Sequence, residues 1–147
     1  MPIKYYFDEE IHNKTHQIAI KLFPHIKLDR VKCFKSIGSS SRNTIARCHT
    51  IGKLMQLTIG VKAHYGIEFI SENFDKLPEN EKTKVIIHEL MHIPKSFGGG
   101  FKHHDYVCDK NINMFYNKLN GIKDVDKLNG INVVNNENTK LKDFFRW

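Results

Sequence analysis

A chain of 147 residues with 40% hydrophobic side chains is long enough for one domain with a real core, and leaves room for little beyond a minimal enzyme. No run approaches the length of a membrane span, and residues 1–5 lack the apolar centre and small-residue cleavage site of a secretion signal, so a soluble, cytoplasmic protein is expected, without membrane contact. The formal net charge is +7, and three cysteines (Cys33, Cys48 and Cys108) without paired spacing speak for reduced thiols and against a disulfide scaffold or a cysteine zinc knuckle.

The first element expected is a helix over residues 8–23. Asp8, Glu9 and Glu10 make an acidic first turn that complements the helix dipole, Ile11, Ile18 and Leu22 share one apolar face, and Pro24 stops the run. His12, His16 and His25 fall in this part of the chain and read as surface or core-edge residues. From residue 31 to residue 70 the pattern turns to strand. Residues 31–37, 44–48, 54–59 and 65–70 are short apolar or part-alternating runs, separated by a Gly/Ser turn and by Gly52 and Gly60. Three or four such strands imply a small, mainly antiparallel sheet, whose edge could take up an extended peptide as a further strand.

The positive charge is concentrated here. Arg30, Lys32, Lys35, Arg42, Arg47, Lys53 and Lys62 occur without one acidic residue between them, so this stretch alone accounts for the net excess. It could meet the phosphates of DNA or RNA; the plainer reading is a solvated basic face, since no aromatic interleaving or base-reading motif accompanies the charge.

Residues 71–74 open a short helical turn, and Pro78 with Glu79 and Glu81 begins the next helix. That helix carries His88-Glu89-Leu90-Met91-His92. Two histidines four residues apart project from one helix face, close enough for both imidazoles to bind one Zn²⁺, with the glutamate beside the metal's open position. Zinc activates water for attack on a carbonyl and a neighbouring carboxylate can take the proton, so His88 and His92 are candidate ligands and Glu89 a candidate general base. Val85, Ile86, Ile87, Leu90 and Met91 make the helix apolar nearly all round. It is therefore central and buried, and its polar groups need partners or a metal. The alternative is a core helix whose histidines are merely hydrogen-bonded. Pro94 ends the helix just past His92.

A catalytic zinc site uses a third protein ligand. Downstream, past the glycine run at residues 95–100, Cys108, Ile112, Phe115 and Leu119 recur at helical spacing. His104 stands four residues before Cys108 and continues that stripe, whereas His103 is turned about a hundred degrees away. His104 is thus the candidate third ligand and His103 a supporting or substrate-side group. Asp105 either orients a ligand imidazole or complements the dipole of the helix. His103, Tyr106, His64 and Tyr65 are candidates for stabilising an oxyanion.

Asn120-Gly121 reads as a helix end, which divides the chain into a catalytic domain over residues 1–120 and a polar tail over residues 121–147. The tail holds a possible small hairpin at residues 127–132 and an apolar end, Leu141, Phe144, Phe145 and Trp147, that either docks on the core as a clasp or binds a partner.

Ala46-Arg47, Gln56-Leu57, the EFISEN segment at residues 68–73, the HELMHIP segment at residues 88–94, the glycine run and a late histidine resemble the metallopeptidases described from archaea and phages, and more distantly the SprT/Spartan-like zinc proteases. The resemblance spans residues 5–119 and is most specific in HELMHIP. It implies a minimal zincin-like α+β fold, with an N-terminal helix, a sheet of three or four strands, the buried motif helix and a closing C-terminal helix. It also implies peptidase activity, with Zn²⁺ held by His88, His92 and His104 and Glu89 as base. Spartan-like relatives act on proteins crosslinked to DNA; this chain has no cysteine-rich zinc ribbon after the catalytic part. The expected substrate is a protein or peptide, and nucleic-acid-associated proteins are one version of it. The alternatives are a zinc hydrolase of a non-peptide substrate and a nucleic-acid-binding protein with a structural zinc. Oligomeric state is left open.

Overall fold

Asp8 turns the chain into its first helix: its carboxylate accepts the Ile11 N–H at 2.9 Å, one of the donors a helix start leaves without a partner. In the computed structural model, which describes residues 2–126, this helix is α1 (Glu9–Leu22), preceded by strand β1 (Lys4–Phe7). There follow β2 (Val31–Ile37), β3 (Ala46–Thr50), α2 (Lys53–Ile59), β4 (Tyr65–Ile70), α3 (Ser71–Phe74), α4 (Glu79–Met91) and α5 (Asp109–Asp126). The class is α+β, as the sequence implies. The expected hairpin at 127–132 and the clasp residues Leu141, Phe144, Phe145 and Trp147 lie outside the described residues.

The sheet order is β1-β2-β4-β3. β4 inserts between β2 and β3, so it runs antiparallel to β3 and parallel to β2, while β1 adds antiparallel to the other edge of β2. Two of the three pairings are antiparallel, and the sheet is mixed. Register decides its two faces. Val31, Cys33, Ala46, Tyr65, Ile67 and Phe69 share the inner face and are buried, and α1 and α4 pack against the sheet there. Lys32, Phe34, Arg47, His49, Gly66 and Glu68 alternate onto the outer face.

Two elements differ from the reading of the sequence. β1 has no counterpart in the hydrophobic pattern, because all four of its side chains are exposed and show no alternation; the β-forming run Tyr5-Tyr6-Phe7 is its local signal. Residues 54–59 are helical, not a strand. β4 already has a partner on each side, which leaves no central place for a further strand, and Gly60 caps the short helix from the left-handed region at φ 80°. Its one buried side chain is Gln56, while Leu54 and Leu57 are 77% and 72% exposed. Alternating apolar residues here mark an exposed helix, not a core strand.

α5 also shifts. It begins at Asp109 instead of near His104, because the Tyr106 and Val107 N–H groups close a separate turn onto the His103 carbonyl at 3.1 and 3.0 Å. It then runs through Asn120-Gly121 to Asp126. The expected helix end at that pair does not occur. Among the described residues no helix is long and apolar enough to cross a membrane.

Candidate metal centre

α4 is buried almost throughout its second half: Val85, Ile86, Ile87 and Leu90 have no exposed surface. His88 and His92 stand one above the other on this helix, with ring centroids 4.9 Å apart and Nε2 atoms 3.1 Å apart. Past His92 the helix closes with a last bond from the Ile93 N–H to the Leu90 carbonyl before Pro94. His25 caps this end by donating from Nε2 to the Ile93 carbonyl at 3.0 Å. His12 and His16 serve backbone as well, at Cys33 N–H and the Val31 carbonyl. These three histidines are core-edge groups, in line with the sequence.

The chain from α4 to His104 is tied down at several points. Gln56 donates to the Ile51 and Gly98 carbonyls, Thr50 donates to the Gly99 carbonyl, and the Tyr65 hydroxyl donates to the Gly100 carbonyl while accepting the Gly99 N–H. Gly99 is the tightest position: φ is +101°, and a Cβ there would stand 2.5 Å from Gln56 Nε2 and 2.6 Å from the Ile51 carbonyl oxygen. Gly99→Ala is expected to destabilise the protein by about 2–4 kcal/mol, from left-handed strain plus overpacking, seen as a lower denaturant midpoint. A midpoint within error of the parent would show that this loop yields freely.

Lys102 then clamps His92 through its main chain. Its N–H reaches the His92 carbonyl at 2.8 Å, and its carbonyl accepts His92 Nδ1–H at 2.7 Å. The second bond fixes the tautomer and leaves the Nε2 lone pair of His92 facing His88. Two residues later His104 arrives, 5.6 and 5.1 Å from the His88 and His92 rings. One nitrogen from each of His88, His92 and His104 lies within 4.8 Å of the others, a grouping that could hold a metal ion. His104 reaches it from the turn before α5 and not, as expected, from that helix's buried stripe. Asp105, considered as the orienting carboxylate, accepts the Tyr106 N–H; the group that orients His92 is a main-chain carbonyl, invisible to any reading of side chains.

Electrostatics favours neutral imidazoles. Burial, reinforced by His92 and His104, drives the His88 pKa down to about 2; burial also lowers His92 and His104. Neutral rings are the metal-binding form. Glu89 has no exposed surface, and burial pushes its carboxyl up to about 8. Among the described residues neither of its oxygens has a hydrogen-bond partner; His88 Nε2 is 3.9 Å from its Oε1. Three converging neutral nitrogens beside a buried carboxyl fit a divalent cation, whose charge would bring the Glu89 pKa back down.

A cleft of about 360 Å³ opens over this group, between edge strand β3 (Arg47, Cys48, His49) and the segment from Phe101 to His104, with Glu89 in its wall. The three β3 residues are site neighbours that the sequence reading did not pick out. Of the oxyanion candidates only His103 lines this cleft. The Tyr65 hydroxyl is committed to the glycine loop, His64 holds the Lys62 carbonyl at another groove, and Tyr106 lies beneath Lys102 Nζ at 4.0 Å.

A family model described as "Putative phage metallopeptidase" matches residues 3–129. No curated protein and no solved structure matches the chain.

Proposed function

Since the chain belongs to this phage metallopeptidase family, we propose that it is a zinc-dependent peptidase in which His88, His92 and His104 hold the metal and Glu89 is the general base. The observation that carries this reading is the convergence of three histidine nitrogens beside a fully buried carboxyl group. A structural zinc would have no use for such a carboxyl. When bound, zinc would polarise the scissile carbonyl and acidify a water molecule.

The residues then divide the work. Glu89, ionised, accepts the proton of the attacking water on a carboxylate oxygen and passes it to the leaving amine. Lys102 keeps His92 in the tautomer that presents Nε2. His103, which lines the cleft, would donate a hydrogen bond to the developing oxyanion. An extended substrate can pair along β3, the edge strand among the described residues that borders the cleft, and its backbone then needs no particular sequence. The substrate class is therefore a protein or peptide, with nucleic-acid-associated proteins as one form of it.

The test is cleavage of a generic unfolded protein by the whole chain. Hydrolysis should disappear with a chelator and return when zinc is restored, and the loaded protein should melt at a higher temperature than the stripped one. Cleavage that persists after complete metal removal would refute the assignment.

A further inference from the structure

The outer face of the sheet carries a feature that the peptidase chemistry does not use. Tyr5 and Phe7 on β1 alternate onto this face beside Phe34 on β2, and they are 58% and 49% exposed. Phe7 lies directly opposite Phe34, the rings meeting edge to face at 6.0 Å. Exposed aromatics on an edge strand favour unwanted pairing, so their presence calls for a use. Next to them a groove of about 400 Å³ runs over Gly66, whose missing side chain leaves its floor open. Arg30, Lys32, His49 and His64 border it.

The carboxylate on this face is withdrawn from solvent. Glu68, the carboxylate that alternates onto it, is 2% exposed and already engaged by Ser36 Oγ at 2.7 Å and His49 Nε2 at 2.8 Å, with Arg47 at 3.8 Å. Aromatic rings flanked by cations, with the local carboxylate buried and engaged, suit a ligand that offers flat rings and negative charge together. We propose that the outer sheet face binds single-stranded nucleic acid, its bases stacking on Tyr5, Phe7 and Phe34 and its phosphates meeting Lys32 and Arg30. A peptide would not need the cations, and a duplex hides its ring faces. Lys32 and Phe34 alternate onto this face from β2 itself, and only the pairing of β1 with β2 brings Tyr5 and Phe7 beside them. His49 lines both this groove and the metal cleft, which places a bound strand beside the cleft.

The proposal stands apart from the peptidase reading, because such binding needs neither metal nor Glu89. Fluorescence anisotropy of labelled oligothymidylate and oligouridylate with the full chain, zinc-loaded and metal-free, at low and moderate salt, tests it. Both single strands, or one of them, should bind more tightly than a duplex of equal length, and the preferred one identifies the source. Phe7→Ala should weaken binding by about 5- to 150-fold, in line with the loss of one stacked base. Lys32→Ala should reduce the salt slope by about 0.7, one phosphate contact on a single strand. Both positions are exposed, and unchanged melting of each variant ensures that folding is not the cause. Absence of binding at low salt, equal binding of duplex, or affinities unmoved by both substitutions would overturn the proposal.

Discussion

Glu89→Gln should lower peptide hydrolysis by about 10²–10⁴-fold while leaving the fold at least as stable as the parent. Glutamine keeps the shape of the side chain and removes the carboxylate that takes up a proton. Most buried carboxylates are held by bonds whose loss destabilises the protein, but here neither oxygen has a hydrogen-bond partner among the described residues. In the metal-free chain the sign can be worked out. Burial raises the carboxyl from 4.5 to about 8, so between those values the folded state holds a proton that the unfolded state has released, and stability falls as pH rises. Glu89→Gln removes that slope. Parallel measurement of turnover and of metal-free melting against pH checks both halves; substantial remaining activity would mean that another group takes the proton.

His104→Ala should cost more in metal affinity than the roughly 10–100-fold that follows loss of a supporting contact, and hydrolysis should go with it. His103→Ala should keep the metal and lose rate. The two residues are neighbours in sequence, both are exposed, and both line the cleft, but only His104 brings a nitrogen into the group with His88 and His92. Titration of each metal-free variant with zinc distinguishes them without any activity assay. The reverse pattern, with His103→Ala losing the metal, would exchange their roles.

The outer-face aromatics show why some of this could not be read from the chain. Phe7 and Phe34 are far apart in sequence and become cross-strand neighbours only through the pairing of β1 with β2. The helix at residues 53–59 shows the converse, a local pattern that misleads. Its alternating apolar residues suit a strand, but the sheet has no place for one, and the segment becomes a helix whose Gln56 braces the glycine loop.

By itself the sequence determined the elements whose cause is local: α1 with its acidic start and its stop before Pro24, the limits of β2 and β4, the burial of α4, and the histidine pair on one side of that helix. Four-residue spacing on a helix is a geometric fact that needs no partner to be true. Tertiary structure alone decided that β4 enters between β2 and β3, that Lys102 holds His92 by its main chain, and that a turn, not a helix, delivers His104. The physical reason is common to all three. Each depends on main-chain hydrogen bonds, between distant segments in the sheet, across ten residues at His92 and within a local turn at His103, and backbone groups are the same in every residue type except proline, so no side-chain pattern announces them.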